Sequence, residues 1–275
     1  MARSLHRSAH LDIPRVVLID APDGNLSKLA HTAEHLTDPL MPPCALIGGM
    51  AVMARINASH RATTDLDSVT SGGTLVFDTL VSLGAIKSGA SAVLDGVTID
   101  VIEVDTFDEA DLPEDELERA FVLSHAWALA SAQPVEITVV RGRSRKVSSV
   151  VLPVATPAAL VAMKLQSVPQ RRGRREHKRA GDCFDIYRLM IEHGTKSTVH
   201  GKGGIARALA YAPADLGHIC LRYIRELFVD EPERTRRWLR QGSPEMSEIT
   251  LDDLHTAGQS VADALERQIA ERAAG

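Results

Sequence analysis

The most informative pattern in the sequence is Leu46-Ile47-Gly48-Gly49-Met50-Ala51, followed by Arg61-Ala62-Thr63-Thr64-Asp65-Leu66-Asp67. Residues 44–47 predict a short apolar strand that runs directly into two glycines and a helix. Residues 64–69 alternate like a second strand, so Asp65 and Asp67 point to the same face. Two carboxylates this close repel each other unless a cation lies between them, and Mg²⁺ prefers carboxylate oxygens.

The two glycines add a second element to this pattern. A strand that ends in Gly48-Gly49 before a helix offers bare backbone N–H groups and a helix N-terminus, both of which suit a phosphate. Each feature by itself has a simpler interpretation, because Asp-x-Asp also occurs in turns and a Gly pair often forms a tight turn. Their order and spacing together favour a phosphate and metal site.

A third acid, Asp100, interrupts the apolar run Val97–Val104. A lone carboxylate inside a buried strand is costly unless a cation or hydrogen-bond donors accompany it. The alternative is an exposed position on an edge strand. We predict that Asp100 joins Asp65 and Asp67.

The remaining pattern predicts a mixed α/β region followed by helices. Strands are expected at residues 15–19, 44–47 and 64–69, with hairpins at 91–104, turning at Asp95-Gly96, and at 135–152; helices are expected at 26–36, 50–56 and 75–83. From Thr156-Pro157 onward the periodicity is helical. We therefore predict an α/β (α+β) fold with a small mixed sheet, a catalytic domain at 1–155, and a helical domain at 156–275 that completes the active site.

Composition narrows the class of protein. The chain has 275 residues, 44% hydrophobic and 24% charged, which excludes disordered and collagen-like proteins. The three cysteines are scattered without metal-ligand spacing, which favours a reducing cytoplasm. An apolar signal-peptide core and a membrane span are both missing from the pattern, so we expect a cytoplasmic protein that contacts no membrane.

Charge is uneven along the chain. The formal net charge is −5, which argues against a surface that is basic throughout, yet residues 171–179 hold six Lys or Arg side chains and one Glu. Such a block suits a phosphate backbone, although it is also typical of a solvated loop. The RNA-binding candidates are Arg171, Arg172, Arg174 and Arg175.

Two later segments complete the pattern. Lys164 is flanked by apolar residues, which predicts that its stem lies on apolar surface and its ammonium meets an anion; a surface lysine is the alternative. Asp182 and Asp185 are spaced i, i+3 and share a helix face, where pairing with the neighbouring arginines is the alternative to a functional role.

Together these motifs resemble the nucleotidyltransferase superfamily of the polymerase-β type, and more narrowly the AbiEii-like toxins, including the MenT-type toxins. The resemblance spans roughly residues 45–190. Gly181 stands where that family often has Lys, next to Asp182.

The resemblance implies a polymerase-β-like core and a pyrophosphate-releasing enzyme that uses Mg²⁺, with Mn²⁺ as the alternative ion, to transfer a nucleoside monophosphate from an NTP. Its acceptor is expected to be a hydroxyl group at the 3′ end of tRNA, and a cognate antitoxin is the expected partner. The implied metal ligands are Asp65, Asp67 and Asp100, the last being either a ligand or the general base. The implied catalytic residues are these three with Lys164 and Asp182, and the implied nucleotide-binding residues are Gly48, Gly49, Arg61, Thr63, Lys164 and Asp185.

Two other functions remain open. One is an antibiotic-type nucleotidyltransferase acting on a small hydroxylated molecule, which the basic block disfavours because an aminoglycoside is itself cationic. The other is a non-catalytic scaffold that binds a nucleotide or a partner, which the cost of idle buried carboxylates disfavours.

Overall fold

The computed structural model describes residues 13–21, 24–59, 63–104, 111–142, 145–171, 173, 176–194 and 204–275, without the side chain at position 145. The strands are Arg15–Asp20 (β1), Cys44–Ile47 (β2), Asp65–Thr70 (β3), Ile86–Ser88 (β4), Ser91–Leu94 (β5), Val97–Glu103 (β6), Gln133–Arg141 (β7) and Arg145–Val154 (β8). The helices are Leu26–Glu34 (α1), Gly48–Ile56 (α2), Gly73–Ser82 (α3), Glu116–Ala130 (α4), Pro157–Gln170 (α5), Lys178–His193 (α6), Gly204–Ala210 (α7), Leu216–Ile224 (α8), Pro232–Leu239 (α9), Pro244–Ser247 (α10) and Leu251–Ala274 (α11).

The eight strands form one mixed sheet in the order β1-β7-β8-β2-β3-β6-β5-β4. The pairs β1/β7, β8/β2 and β3/β6 are parallel, and the other neighbours are antiparallel. The predicted mixed sheet and both predicted hairpins are confirmed. The central strands β2, β3 and β6 bear the residues that the sequence singled out.

Local signals explain where several elements begin or turn. Asp95 and Gly96 both have positive φ, 54° and 76°, as a two-residue hairpin turn requires. Thr156 caps α5 by accepting a hydrogen bond from the N–H of Ala159. At the start of α11, Thr250 and Asp253 form the reciprocal capping pair that their spacing predicts.

The regular structure of the described residues after Thr156 is entirely helical, as predicted. Helices α5 and α6 pack against each other and against α2, which places the helical half beside β2 and β3. Helix α8 continues into a π-helical turn at Arg225–Asp230. None of the helices in the described ranges is long and apolar enough to cross a membrane.

One helix, α4, was not predicted from the sequence. Its buried face includes Ser124 and His125 as well as apolar side chains, so the hydrophobic repeat is interrupted. Asp115 nevertheless caps it by accepting a hydrogen bond from the N–H of Glu118. This helix packs against β2, β3 and α5 and fills the space between the sheet and the helical half.

Candidate active site

Three carboxylates meet on two neighbouring strands. Asp67 of β3 lies directly opposite Asp100 of β6, and Asp65 occurs two residues before Asp67 on the same face. One carboxylate oxygen of each acid lies within 4.8 Å of those of the other two. Because β6 lies between β3 and β5, the edge-strand interpretation of Asp100 does not describe this fold.

Two hydroxyl groups orient the outer acids of this cluster. Thr63, which is buried, donates a hydrogen bond from Oγ1 to Oδ1 of Asp65 at 3.2 Å. Ser91 lies opposite Asp100 in the β5/β6 register and donates from Oγ to Oδ1 of Asp100 at 2.5 Å. Ser91 could not be singled out from the sequence, since only the hairpin register places it beside Asp100.

The pKa of Asp67 is raised. Burial and the carboxylates of Asp65 and Asp100 together raise it to about 6 from 3.8, while Lys164 and Lys178 oppose the shift. Three ionised carboxylates at this distance repel one another, and a divalent cation bound between them would neutralise that charge. All three donors are carboxylate oxygens, the ligand type that hard cations prefer. The residues present therefore fit a divalent cation.

Gly48 is required where it stands for two reasons. Its φ of +68° lies in the left-handed region, and an added Cβ would come within 1.9 Å of Oδ2 of Asp67. The backbone of α2 thus begins in contact with the central acid of the cluster. A glycine here allows the helix N-terminus, with its free N–H groups, to approach the acids without a side chain between them.

Helix α2 is held in place by a buried arginine at its other end. Arg55 donates from Nε to the carbonyl of Ala155 at 2.8 Å and from a terminal nitrogen to that of Val154. Burial lowers its pKa to about 10. The ring nitrogen Nε2 of His193, in α6, lies 2.8 Å from the carbonyl of Arg55. The helix that positions Gly48 is therefore anchored both to the end of β8 and to α6.

A second charged cluster joins α5 to α6. The ammonium group of Lys164 lies 3.2 Å from Oδ1 of Asp182 and 2.7 Å from Oδ2 of Asp185. Lys164 is only 7% exposed, so the surface-lysine alternative does not apply. Its charge also acts on Asp67, whose pKa it lowers. Lys164 therefore connects this cluster electrostatically to the three acids.

Asp182 has further partners. Arg171 donates from Nε to its Oδ2 at 2.8 Å, and Ser167 donates to the same oxygen at 3.1 Å. Burial raises the pKa of Asp182, but Lys164 and Arg171 outweigh that effect and hold it below its usual value. Lys164 and Arg171 therefore both neutralise negative charge in this cluster. The pairing of Asp182 with a neighbouring arginine is thus part of the structure, and Arg171 is not an unpaired cation of the basic block.

Among the other predicted residues, Gly49 follows Gly48 in the first turn of α2. Arg61, Arg172, Arg174 and Arg175 lie outside the described residues. Lys178 was not on the list of candidates, although it belongs to the basic block. It begins α6, is exposed, and lowers the pKa of Asp67, so it is an exposed cation whose charge reaches the acid cluster.

The family model described as "Nucleotidyl transferase AbiEii toxin, Type IV TA system" matches residues 34–241 of this chain. Among solved structures, the crystal structure of an antigenic nucleotidyltransferase-like protein from Paracoccidioides brasiliensis is similar, with a TM-score of 0.44 and 17% sequence identity. That similarity covers 77% of this chain and 92% of the fungal one. A comparison with curated proteins found no match. The matched residues include all three acids as well as Lys164, Asp182 and Asp185.

Proposed function

The chain belongs to the AbiEii family of nucleotidyl transferase toxins, and from this membership we propose a Mg²⁺-dependent transfer of a nucleoside monophosphate from an NTP to the 3′ end of tRNA. The family itself implies an NTP substrate and an antitoxin partner. The observation that supports the metal-dependent reaction most directly is the meeting of Asp65, Asp67 and Asp100 on β3 and β6.

The metal would be held by these three carboxylates. A divalent cation supplies charge neutralisation at the transferred phosphoryl group and at the pyrophosphate that leaves. Mg²⁺ suits the all-oxygen donor set, and Mn²⁺ shares that preference. Asp100 is either the third ligand or the base that takes the proton of the acceptor hydroxyl group. Its hydrogen bond from Ser91 orients it in both cases.

The triphosphate would lie between the acids and the start of α2. The free N–H groups of Gly48 and Gly49 are suited to phosphate oxygens, and the N-terminus of the helix favours negative charge. Lys178 can contribute a positive charge from the start of α6, and the family resemblance implies a second one from Arg61. Thr63 acts indirectly, because it orients Asp65.

The buried ion pairs between α5 and α6 would support catalysis by fixing the positive charge of Lys164 near the acid cluster. The positive potential of Lys164 already reaches Asp67, so it can act on a nearby triphosphate while its ammonium stays bound to the two acids. Asp185 then fixes the position of Lys164, and Asp182 ties Arg171 to the same cluster. We propose in consequence that residues 1–155 form the catalytic domain and that 156–275 complete its active site.

An RNA acceptor is supported by arginines on α9. Arg236, Arg237 and Arg240 line one cleft together with Glu233 and Leu251, and within the described part of the chain none of the three arginines forms an ion pair. Helix α9 is held beside the start of α6 because the guanidinium of Arg179 lies 5.0 Å from the ring centre of Trp238. This places unpaired cations next to the basic block. Arginines in such a cleft suit the spaced phosphates of a nucleic-acid backbone.

The cellular setting is also part of the proposal. All three cysteines are buried and free of disulfides, which suits a reducing cytoplasm. A cytoplasmic toxin with its antitoxin and with tRNA as substrate is the arrangement we propose.

The decisive experiment incubates the chain with each labelled NTP, Mg²⁺ and total RNA, and then separates tRNA from small molecules. We expect label on tRNA, its loss with EDTA, and its loss in Asp67→Asn. The matched control is Asp78→Asn on the exposed face of α3, which removes one carboxylate far from the cluster. Label found on a small molecule alone would support the antibiotic-type enzyme instead. The absence of any label with every NTP would favour a scaffold.

A further inference from the structure

A second group of metal-ligating side chains lies outside the acid cluster. His31 of α1, His35 in the 3₁₀ turn that follows it, and Asp95 in the β5–β6 turn each offer a donor atom within 4.8 Å of the other two. Their elements are held close by the fold, since α1 packs against β6. The two histidines are four residues apart on consecutive helical turns, a spacing that directs both imidazoles to one side.

The orientation of the side chains suits a shared ligand. Nε2 of His35 lies 3.9 Å from Oδ2 of Asp95, so this nitrogen faces the centre of the group. Nδ1 of His31 lies 3.4 Å from Oε2 of Glu34, which leaves the Nε2 of His31 for the centre. Glu34 is fixed in turn, because Ser148 donates a hydrogen bond to its Oε1 at 2.8 Å.

This arrangement matches the surroundings of protein-bound zinc. Histidines that bind a metal usually have a carboxylate or carbonyl group beside their second ring nitrogen, and a carboxylate oxygen of Glu34 lies 3.4 Å from Nδ1 of His31. Two imidazole nitrogens beside one carboxylate oxygen suit Zn²⁺ better than Mg²⁺, because imidazole is a borderline donor that Mg²⁺ seldom accepts. The donor set therefore differs from that of Asp65, Asp67 and Asp100, which is made of carboxylates alone.

We propose that His31, His35 and Asp95 form a zinc site, separate from the catalytic metal site, with Glu34 as the residue that orients His31. Zinc ligands lie at about 2.0–2.2 Å from the ion, so the donors must approach one another more closely than the 3.9 Å that separates Nε2 of His35 from Oδ2 of Asp95. The side chains of His31 and Asp95 can rotate to do so, because they are 65% and 58% exposed. The fourth position is left to water.

Bound zinc would tie the end of α1 to the β5–β6 turn. It would stabilise the folded chain by binding the native state in preference to the unfolded one. The site is a property of this surface alone and does not depend on the nucleotidyl transfer proposed above.

The test titrates the metal-free full chain with Zn²⁺ by calorimetry and with Co²⁺ by visible absorption, in an Asp65→Asn/Asp67→Asn background that removes the carboxylate site. We expect one equivalent of Zn²⁺ and the strong visible absorption of tetrahedral Co²⁺. His31→Ala, His35→Ala and Asp95→Asn should each weaken binding by more than about tenfold, and Glu34→Gln should weaken it by about tenfold. The matched controls are His218→Ala and His255→Ala, which remove exposed histidines elsewhere.

Thermal unfolding gives a second measurement. Without zinc, the ligand variants should unfold at the temperature of the background chain, since the side chains are at the surface. Added Zn²⁺ should raise that temperature only in chains that keep all three ligands. Equal zinc affinity in the ligand variants and the controls, or no zinc binding in the background chain, would overturn the site. Neither result depends on whether the chain transfers nucleotides.

Discussion

The ammonium of Lys164 lies 2.7 Å from Oδ2 of Asp185, and both side chains are buried where α5 packs against α6. The sequence indicated that this lysine meets an anion and suggested the triphosphate. In the structure its nearest anions belong to the protein. A loss of activity after substitution of Lys164 therefore has two sources, the loss of positive potential at the acid cluster and the loss of a buried ion pair.

The first prediction separates these sources. Lys164→Met should lower the free energy of unfolding by about 3–5 kcal/mol, because it removes the buried ion pairs of Lys164 with Asp182 and Asp185. Asp185→Asn should also destabilise, and the double variant should lose less than the sum of the two single losses. Urea unfolding measures all three. Arg222→Ala, which removes an exposed ion pair with Glu116, is the control and should cost less than about 1 kcal/mol. Strict additivity would mean that Lys164 and Asp185 do not act as a pair.

The second prediction concerns Gly48. Gly48→Ala should abolish activity and destabilise the fold, because the new Cβ displaces Asp67 and the positive φ is strained. Gly89→Ala is a matched control, because Gly89 has a φ of +61° and open space around it. This variant should lose only the backbone strain of the left-handed conformation, about 1–2 kcal/mol of unfolding free energy. The difference between the two variants in urea unfolding measures the contact with Asp67. Equal losses of stability and unchanged activity in both would contradict the close approach.

The third prediction concerns Asp67 without metal. Its folded pKa of about 6 exceeds the ordinary 3.8, so the native state holds the proton more tightly and stability falls as pH rises from 4 to 6. Above pH 6, Asp67→Asn should therefore stabilise the metal-free chain by about 1–3 kcal/mol while abolishing transfer. Thermal unfolding in EDTA at pH 7.5 measures the gain. Mg²⁺ should then stabilise the wild-type chain and leave the variant unchanged. A variant that is less stable than wild type would show that Asp67 already has a compensating cation.

The fourth prediction locates the RNA contact. Replacing Arg236, Arg237 and Arg240 with Ala should weaken tRNA binding and reduce its dependence on salt, because fewer counterions are released. Fluorescence anisotropy with labelled tRNA at several salt concentrations measures both effects. The control, Arg222→Ala/Arg225→Ala/Arg267→Ala, removes the same charge elsewhere on the surface. Arg171 is left out of the substitutions because it pairs with Asp182, so its loss would disturb the structure as well as any RNA contact. If both triple variants behave alike, α9 is not the RNA surface.

The fifth prediction concerns His125 in α4. Burial lowers its pKa to about 4 from 6.5, and its Nδ1 lies 2.7 Å from the carbonyl of Phe121. The unfolded chain therefore takes up a proton first as pH falls, so the stability present above pH 6.5 is lost toward pH 4. The loss is on the order of 3 kcal/mol, and His125→Asn, which keeps a donor but does not titrate, should remove it. Urea unfolding at pH 7 and pH 4.5 measures the change, with His255→Asn as control. Parallel pH profiles for wild type and His125→Asn would contradict the assignment.

Much of this fold could be predicted because its signals are local. The Asp95-Gly96 turn, the cap at Thr156 and the capping pair at Thr250 each depend on residues a few positions apart. Alternation in residues 64–69 placed Asp65 and Asp67 on one face without knowledge of the strand's neighbours. Helix α4 escaped prediction because Ser124 and His125 lie on its buried face and interrupt the apolar repeat, although both meet the carbonyl of Phe121 one turn earlier in the same helix.

The site could also be predicted only where single residues carry a local signal. Asp65, Asp67 and Asp100 could be chosen because each is costly in an apolar strand, whereas Ser91 has no such cost and carries no signal. The ion pairs of Lys164 could not be predicted from the sequence either. They depend on the packing of α5 on α6, which brings Asp182 and Asp185 to one ammonium group, while Arg171 pairs with the other carboxylate oxygen of Asp182.

Because the acid cluster depends on the register between β3 and β6, transferase activity measures the number of chains in which this register is correct. Asp67 and Asp100 are 33 positions apart and meet because their strands pair in one alignment. A shift by one residue would turn Asp100 to the opposite face of the sheet and leave the backbone hydrogen bonds of the strands largely intact. A misaligned chain would keep nearly the same circular dichroism and be inactive. In refolding studies, the fraction of transferase activity recovered is therefore the stricter measure of correct folding.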